Sequence, residues 1–216
     1  MAAVNNVDPC GLDVEYLLVN NGSQDDTGEQ IDKYVCENIK KVTVPENKGY
    51  GYGLQCGIHA ATGNYIGWIH GDIQIHPTEL NQFFRYLASH QTNSYFMKGH
   101  RQNRGLFDQI FTWGQGIVNS AMFHMKLYDI AAIPVLYPAH VIQGSITDAM
   151  PNDFSIELFA YMEALKLGLH EVRFPVRLRD RARGKSSWNT GFKAKLRQSK
   201  RIFMDSVKIK RGEKVL

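Results

Sequence analysis

"GNYIGWIHGDIQIHP", residues 63–77, runs an apolar strand into a polar turn: Tyr65, Ile66, Trp68 and Ile69 lead straight to His70, Gly71 and Asp72. A short aromatic and β-branched run ending at glycine and aspartate reads as a buried strand. Upstream, "VEYLLV" (14–19) has the same character and ends in the Gly/Asn/Asp turn "NNGSQDDTG". Between the two, Thr27–Asn38 has helical spacing with Ile31, Tyr34 and Val35 on one side, and "KVTV" (41–44) is a strand stopped by Pro45. "ENKGYGYG" (46–53) reads as a loop, and Leu54–Ala61 as a small-residue helix. "PTELNQFFRYLAS" (77–89) predicts a helix with Pro77 near its first turn. Strand, helix, strand, helix, strand predicts an α/β domain with a mostly parallel sheet and flanking helices. Ligands of such sheets collect at the carboxyl ends of the strands, so the turns after Val19 and Ile69 are where chemistry is expected.

The second half is less regular. "SYFMKG" (94–99) fits a strand, and "GLFDQIFTWGQGIVNSAMFHM" (105–125) is apolar and helix-like. "DFSIELFAYMEALKLG" (153–168) predicts a helix with Asp153 as N-cap and Gly168 as its stop. "HEVRFPVRL" (170–178) contains Pro175 and therefore reads as an edge strand. These elements make one domain over residues 1–190. Residues 191–216 form a basic amphipathic C-terminal segment with Phe192, Leu196, Phe203 and Val207 along one face and Lys193, Lys195, Arg197, Lys200 and Arg201 around it. Such a segment either rests on anionic lipid or docks on the body by its apolar stripe.

Hydrophobic content of 44% and charged content of 21% are those of a globular chain. Cys10, Cys36 and Cys56 have no C-x-x-C spacing, which argues against a zinc ribbon or a disulfide scaffold and for a reducing compartment. No basic-then-apolar leader is visible, and the longest apolar run, Ile130–Ile142, is broken by Pro134 and Pro138. A cytoplasmic protein, peripheral at most on the cytoplasmic face of a membrane, is expected. Residues 171–216 carry 15 Lys/Arg against 4 Asp/Glu on an otherwise acidic chain. That asymmetry calls for an anionic partner, a phosphate-bearing substrate or a membrane surface, unless the segment is simply a solvated tail.

Three motifs carry chemistry. In "NKGYGYGLQCG" (47–57) the spacing is G-x-G-x-G after a loop, which fits a nicotinamide fingerprint poorly, although glycines still let a nucleotide or sugar approach the backbone. Asp72 between His70 and His76 is either a metal site at a strand end or a turn aspartate bonding local N–H groups. "RDRARGKSSWN" (179–189) gathers arginines, Lys185 and serines around Gly184, suited to a diphosphate or to an ordinary solvated loop.

Taken in order, "VEYLLVNNGSQDDTGEQID" (14–32), "VTVPENKGYGYGLQCGIHAATGNYIGWIHGDIQIHP" (42–77) and "RARGKSSWN" (181–189) resemble the family 2 glycosyltransferases. The likeness is to the branch of dolichol-phosphate mannose synthase and bacterial polyprenyl-phosphate sugar transferases. "NNGSQDDT" stands where that family has D-D-G-S-x-D-x-T, "HGDIQIHP" where it has D-x-D-x-Q-x-x-P, and "RARGKSS" where it has R-x-x-G-x-S. The resemblance implies a GT-A fold and metal-assisted, inverting transfer of a sugar from a nucleoside diphosphate to a polyprenyl-phosphate or similar acceptor; nucleic acid is not among the expected partners. It implies Asn20, Asn21, Ser23, Gly49, Gly51, Gly71 and Gln74 on the donor, with Arg181, Lys185 and Ser186 on phosphate. Asp72, with His70, would hold Mg²⁺ or Mn²⁺; Asp129 would lie near the acceptor, and Asp153 or Glu157 at the base position.

The sequence departs from the family in two places. Residues 1–12 carry no strand with a P-x-Y-N-E-type turn, so the chain reads as N-terminally truncated, beginning at the family's second strand. His70 replaces the first Asp of D-x-D, and an imidazole there favours Mn²⁺ over Mg²⁺. The alternative expectation is therefore a non-catalytic transferase-like domain that binds a nucleotide, a lipid head group or a protein partner.

Overall fold

The computed structural model describes residues 4–90, 92–102, 105–144, 150–179 and 192–211. After a 3-10 turn at Val4–Asn6 come β1 (Tyr16–Asn21), α1 (Thr27–Asp32), β2 (Ile39–Val44), α2 (Tyr50–Ala60) and β3 (Tyr65–Trp68). A 3-10 turn (Pro77–Glu79) opens α3 (Leu80–Ser89), followed by β4 (Tyr95–Gln102), α4 (Leu106–Phe123), β5 (Val135–Pro138) and α5 (Ala139–Gln143). α6 (Ile156–Lys166), β6 (His170–Arg177) and α7 (Phe192–Lys210) complete the described elements.

The expected α/β alternation is present, and the ladders divide the strands into two sheets. β1 and β2 form a parallel pair, and the second sheet has the order β3-β5-β4-β6. β5 runs antiparallel to both of its neighbours while β4 and β6 pair in parallel, so β3, β4 and β6 point one way and β5 alone is reversed. β5 was not predicted. All four of its residues are buried, so it shows no period-2 pattern, and its prolines disguise it as a break. β6 is the edge strand that Pro175 foretold. Phe96 and Tyr137 stack across the core at 5.3 Å, and Trp68 meets Tyr137 at 5.5 Å.

The feet of the two sheets are joined by Glu15. Its carboxylate accepts the Thr62 amide (2.6 Å) and hydroxyl (2.8 Å) ahead of β3, and pairs with Lys40 (3.0 Å) on β2. Burial works against ionisation of Glu15, but these hydrogen bonds outweigh it and hold the carboxyl below its ordinary range.

Three sequence expectations need correcting. α1 stops at Asp32 rather than Asn38: the chain turns back through a Cys36–Ile39 bridge, leaving Tyr34 and Val35 exposed. The Gly-rich loop is shorter than predicted, because α2 already begins at Tyr50. In α7 the face toward the body is Asp205, Ser206 and Ile209, whereas Phe203 and Met204 are exposed. Arg201 pairs with Asp153 at 3.2 Å, so this helix is docked on the domain by charge as well as by packing.

Gly51 shows why α2 begins where it does. A Cβ there would lie 2.2 Å from the Pro151 carbonyl oxygen and 2.7 Å from that of Asp153, so only glycine lets the helix reach the 151–153 backbone. Gly71 has open space around it. Gly51→Ala should therefore cost about 1–3 kcal/mol in urea unfolding, while Gly71→Ala stays within about 0.5 kcal/mol of the parent; equal losses in the two would contradict this packing.

Candidate functional site

The apolar end of β3 and the N-terminus of α2 meet at one buried carboxylate. Glu157, on α6 and only 2% exposed, accepts the Trp68 indole N–H (2.8 Å) and the Tyr50 hydroxyl (2.9 Å) on the same oxygen, Oε1. Burial first, then the charge and hydrogen bond of Glu157, push the Tyr50 phenol well above its usual pKa, so it keeps its proton and is the donor. The phenolic oxygen can then only accept from His70 Nε2, 3.1 Å away. In the neutral imidazole this places the proton on Nε2 and leaves Nδ1 as the nitrogen with a lone pair. Phe154 stacks on the other face of Tyr50 at 4.6 Å.

Two residues past His70, Asp72 Oδ1 accepts the Gln74 amide at 3.2 Å, and Ile73 between them is left-handed (φ 58°). Asp72 thus makes the local turn that its sequence context allowed. His76 does not join it: its Nδ1 faces the Thr78 amide (3.4 Å) and hydroxyl (2.8 Å), capping the 3-10 turn. Gly71 is exposed, and the Gln74 side chain reaches the Arg179 carbonyl at 3.5 Å.

The turn after β1 closes on the same helix end. Asn20 accepts the amide of exposed Ser23 (3.1 Å), and Asn21 Nδ2 donates to the Gly49 carbonyl (3.1 Å) and lies against Gly53. Asn21 Oδ1 is buried with no hydrogen-bond partner. Gly49 and Gly51 do approach a backbone closely, as glycines allow, but it is the chain's own 151–153 segment. Asn21, Gly49, Tyr50 and His70 therefore meet around the start of α2, the positive end of its dipole, with Asn20 next to Asn21 and Asp72 two residues past His70 in the chain. Arg181, Lys185 and Ser186 lie outside the described residues.

The other candidate carboxylates are engaged. Asp129 (2% exposed) is held in a fork by Arg101 through Nε (3.1 and 3.3 Å) and Nη2. Asp153 accepts the Ser155 amide (2.9 Å) and Arg201 (3.2 Å), and stands beside Asp205, whose pKa is raised by burial and then by the Asp153 charge. Glu157 is walled in by Trp68 and Tyr50, and the Tyr50 hydroxyl links it to His70. Sequence reasoning missed Tyr50, Trp68 and Phe154. It also missed Lys98, fully buried, donating to the Ile130 carbonyl at 3.0 Å and lying 4.9 Å from the Tyr161 ring centre. A lysine inside "YFMKG" and a tyrosine among glycines gave no sign of their partners.

Among the described residues no three His, Cys, Asp or Glu side chains gather as a full metal shell. A divalent ion bound together with a diphosphate needs only one or two protein ligands. The Asp72 carboxylate and His70 Nδ1 supply an oxygen and a nitrogen of that kind, a set that fits Mn²⁺.

Two measurements check this geometry. Nitrogen-15 NMR of His70 should show the Nε2–H tautomer in the parent and a shift toward mixed tautomers in Tyr50→Phe; an unchanged spectrum would contradict the relay. Burial lowers the Lys98 pKa from 10.5 to about 8, with Glu157 the strongest opposing influence. Between those values the unfolded chain binds more protons than the folded one, so stability rises with pH. In urea unfolding between about pH 8 and 9.5, the parent should gain about 1 kcal/mol per pH unit relative to Lys98→Met; parallel curves would exclude it.

Comparison with known proteins agrees with this architecture. The chain is 29% identical over 135 residues to the dodecaprenyl-phosphate galacturonate synthase of Rhizobium johnstonii, covering 60% of this chain and 39% of that one. It therefore spans about two fifths of that relative's length. Glucosyl-3-phosphoglycerate synthase of Mycobacterium tuberculosis, crystallised with Mn²⁺, UDP and glucosyl-3-phosphoglycerate, superposes with a TM-score of 0.69 at 16% identity, over 98% of this chain and 75% of that one. The same enzyme with Mn²⁺, UDP-glucose and glycerol 3-phosphate gives 0.64 at 15% identity, over 91% and 69%. At such identities the structural likeness establishes the fold, which is GT-A. Residues 2–138 match the family Glycosyl transferase family 2, and the chain belongs to it.

Proposed function

We propose that the chain carries the donor corner of a glycosyltransferase that moves a sugar, with inversion, from a nucleoside diphosphate to the phosphate of a polyprenyl-phosphate or similar acceptor. One observation carries this reading: the turns after β1 and β3 converge on the N-terminus of α2 through the Asn21–Gly49 and Tyr50–His70 contacts. The galacturonate synthase relative, named for a dodecaprenyl-phosphate product, and the UDP-bound structural neighbours support it.

The residues fall into roles on chemical grounds. Asn20, Asn21 and Ser23 stand where the nucleoside would lie, and Gly71 and Gln74 flank the diphosphate side of the Asp72 turn. Asp72 and His70 would hold Mn²⁺ or Mg²⁺, whose contribution is to neutralise charge on the departing diphosphate. In the transfer an acceptor oxygen forms a bond to the anomeric carbon as the bond to the diphosphate breaks, and the nucleoside diphosphate departs with that electron pair. Asp129, Asp153 and Glu157 are each held by an arginine or by buried donors. A phosphate acceptor, already anionic at neutral pH, needs none of them as a base.

A peripheral contact with membrane is the matching proposal for a lipid acceptor. Leu106, Ile110, Trp113 and Ile117 form an exposed apolar stripe on α4, and α7 packs against that helix with Phe203 and Met204 also exposed. No helix among the described residues is long and apolar enough to cross a membrane.

Transfer of labelled sugar to a short-chain polyprenyl phosphate, measured with Mn²⁺, should fall on the order of 10²-fold in Asp72→Ala and vanish with chelator. Calorimetry with UDP and GDP, with and without Mn²⁺, should show metal-dependent nucleotide binding that Asp72→Ala weakens. Nucleotide binding without turnover would favour a non-catalytic binding domain instead, and equal transfer by parent and variant would remove Asp72 from the site.

A further inference from the structure

Next to the Asp72 turn, α3 and the carboxyl end of β6 enclose a crevice of about 380 Å³ into which three arginines converge: Arg85 from α3, and Arg177 and Arg179 where β6 leaves its sheet. The crevice is built rather than incidental. Gln82 donates from α3 to the Pro175 carbonyl at 2.8 Å, fixing the helix against the open edge of β6, and Arg85 follows Gln82 by one helical turn. Gln102, the last residue of β4, lies opposite Arg177 in the parallel register and lines the same space. The Arg179 amide donates to the Gln74 carbonyl at 2.7 Å, which joins the crevice to the turn carrying Asp72.

What sets these arginines apart is that no carboxylate among the described residues pairs with them. Arg101, Arg173 and Arg201 are paired with Asp129, Glu171 and Asp153. Glu79 shares the lining, but its hydrogen bond comes from Gln82, at 3.5 Å. Three guanidiniums around one space repel each other, and a doubly charged tetrahedral anion that takes forked hydrogen bonds relieves that repulsion.

We propose that this crevice binds the phosphate group of a phosphomonoester, at a site distinct from the diphosphate corner at His70 and Asp72. Its role as the place where the acceptor's phosphate is held rests on the transfer reaction proposed above; the binding itself does not. The same chemistry is offered by a soluble phosphomonoester and by a lipid head group.

The test is titration of the full chain with inorganic phosphate at low ionic strength, followed by calorimetry, together with flotation on phosphatidylcholine vesicles with and without phosphatidic acid. Saturable phosphate binding is expected, weakened about tenfold by Arg177→Gln or Arg85→Gln and unchanged in Asp72→Ala and in Lys33→Gln, an exposed cation on another face. Flotation that requires phosphatidic acid and is lost in Arg177→Gln would assign the site to a head group; phosphate binding with no such flotation would assign it to a soluble ligand. Absence of saturable binding, or equal weakening by Lys33→Gln and Arg177→Gln, would overturn the proposal. Arginine-dependent phosphate binding in a chain without transferase activity would retain the crevice and remove the reaction assigned to it.

Discussion

One buried carboxylate organises the candidate site. Glu157 is nearly inaccessible, and an anion in such a place is tolerated only when donors and a counter-charge surround it. Trp68 and Tyr50 supply the donors, and Lys98, which senses Glu157 more strongly than any other carboxylate, supplies the charge. Trp68 ends β3 and Tyr50 begins α2, so one oxygen of a single α6 side chain ties these two elements together, while its other oxygen is buried without a hydrogen-bond partner. His70 inherits its orientation from this arrangement through the Tyr50 hydroxyl.

A group that must take a proton from a substrate has to be reachable and uncommitted. Asp129 is held by Arg101, Asp153 by Arg201, and Glu157 by its buried donors. Near the start of α2 lie the partly buried Asn21 side chain, the positive helix end and exposed Gly71.

Much of this was legible in the sequence, and the parts that were not share a physical cause. Strands β1 to β3 and their polar ends were visible because hydrophobic runs stop abruptly at Asn20 and His70. Asp72 was visible as a turn aspartate, and Pro175 correctly marked an edge. β5 was hidden because a strand buried on both faces has no alternation to reveal it. Helix α1 was overextended because Tyr34 and Val35 have helical spacing yet lie on the surface. The partners of Glu157 were hidden for a deeper reason. The family resemblance names Glu157 as a base position, and only the fold shows that Trp68 and Tyr50, 89 and 107 residues away in the chain, hydrogen-bond to it. His76 likewise looks like a second imidazole for a metal until its capping role is seen.

Through the Tyr50 hydroxyl, the Glu157–Tyr50 pair engages His70 Nε2 and leaves Nδ1 as the ring nitrogen with a lone pair. A crystal structure with Mn²⁺ and UDP, using the anomalous signal of manganese, tests this most directly. One manganese site contacted by the Asp72 carboxylate and by His70 Nδ1 is expected, with His70 Nε2 still on the Tyr50 hydroxyl. Manganese bound elsewhere, or bound through His70 Nε2 with the Tyr50 contact broken, would contradict it.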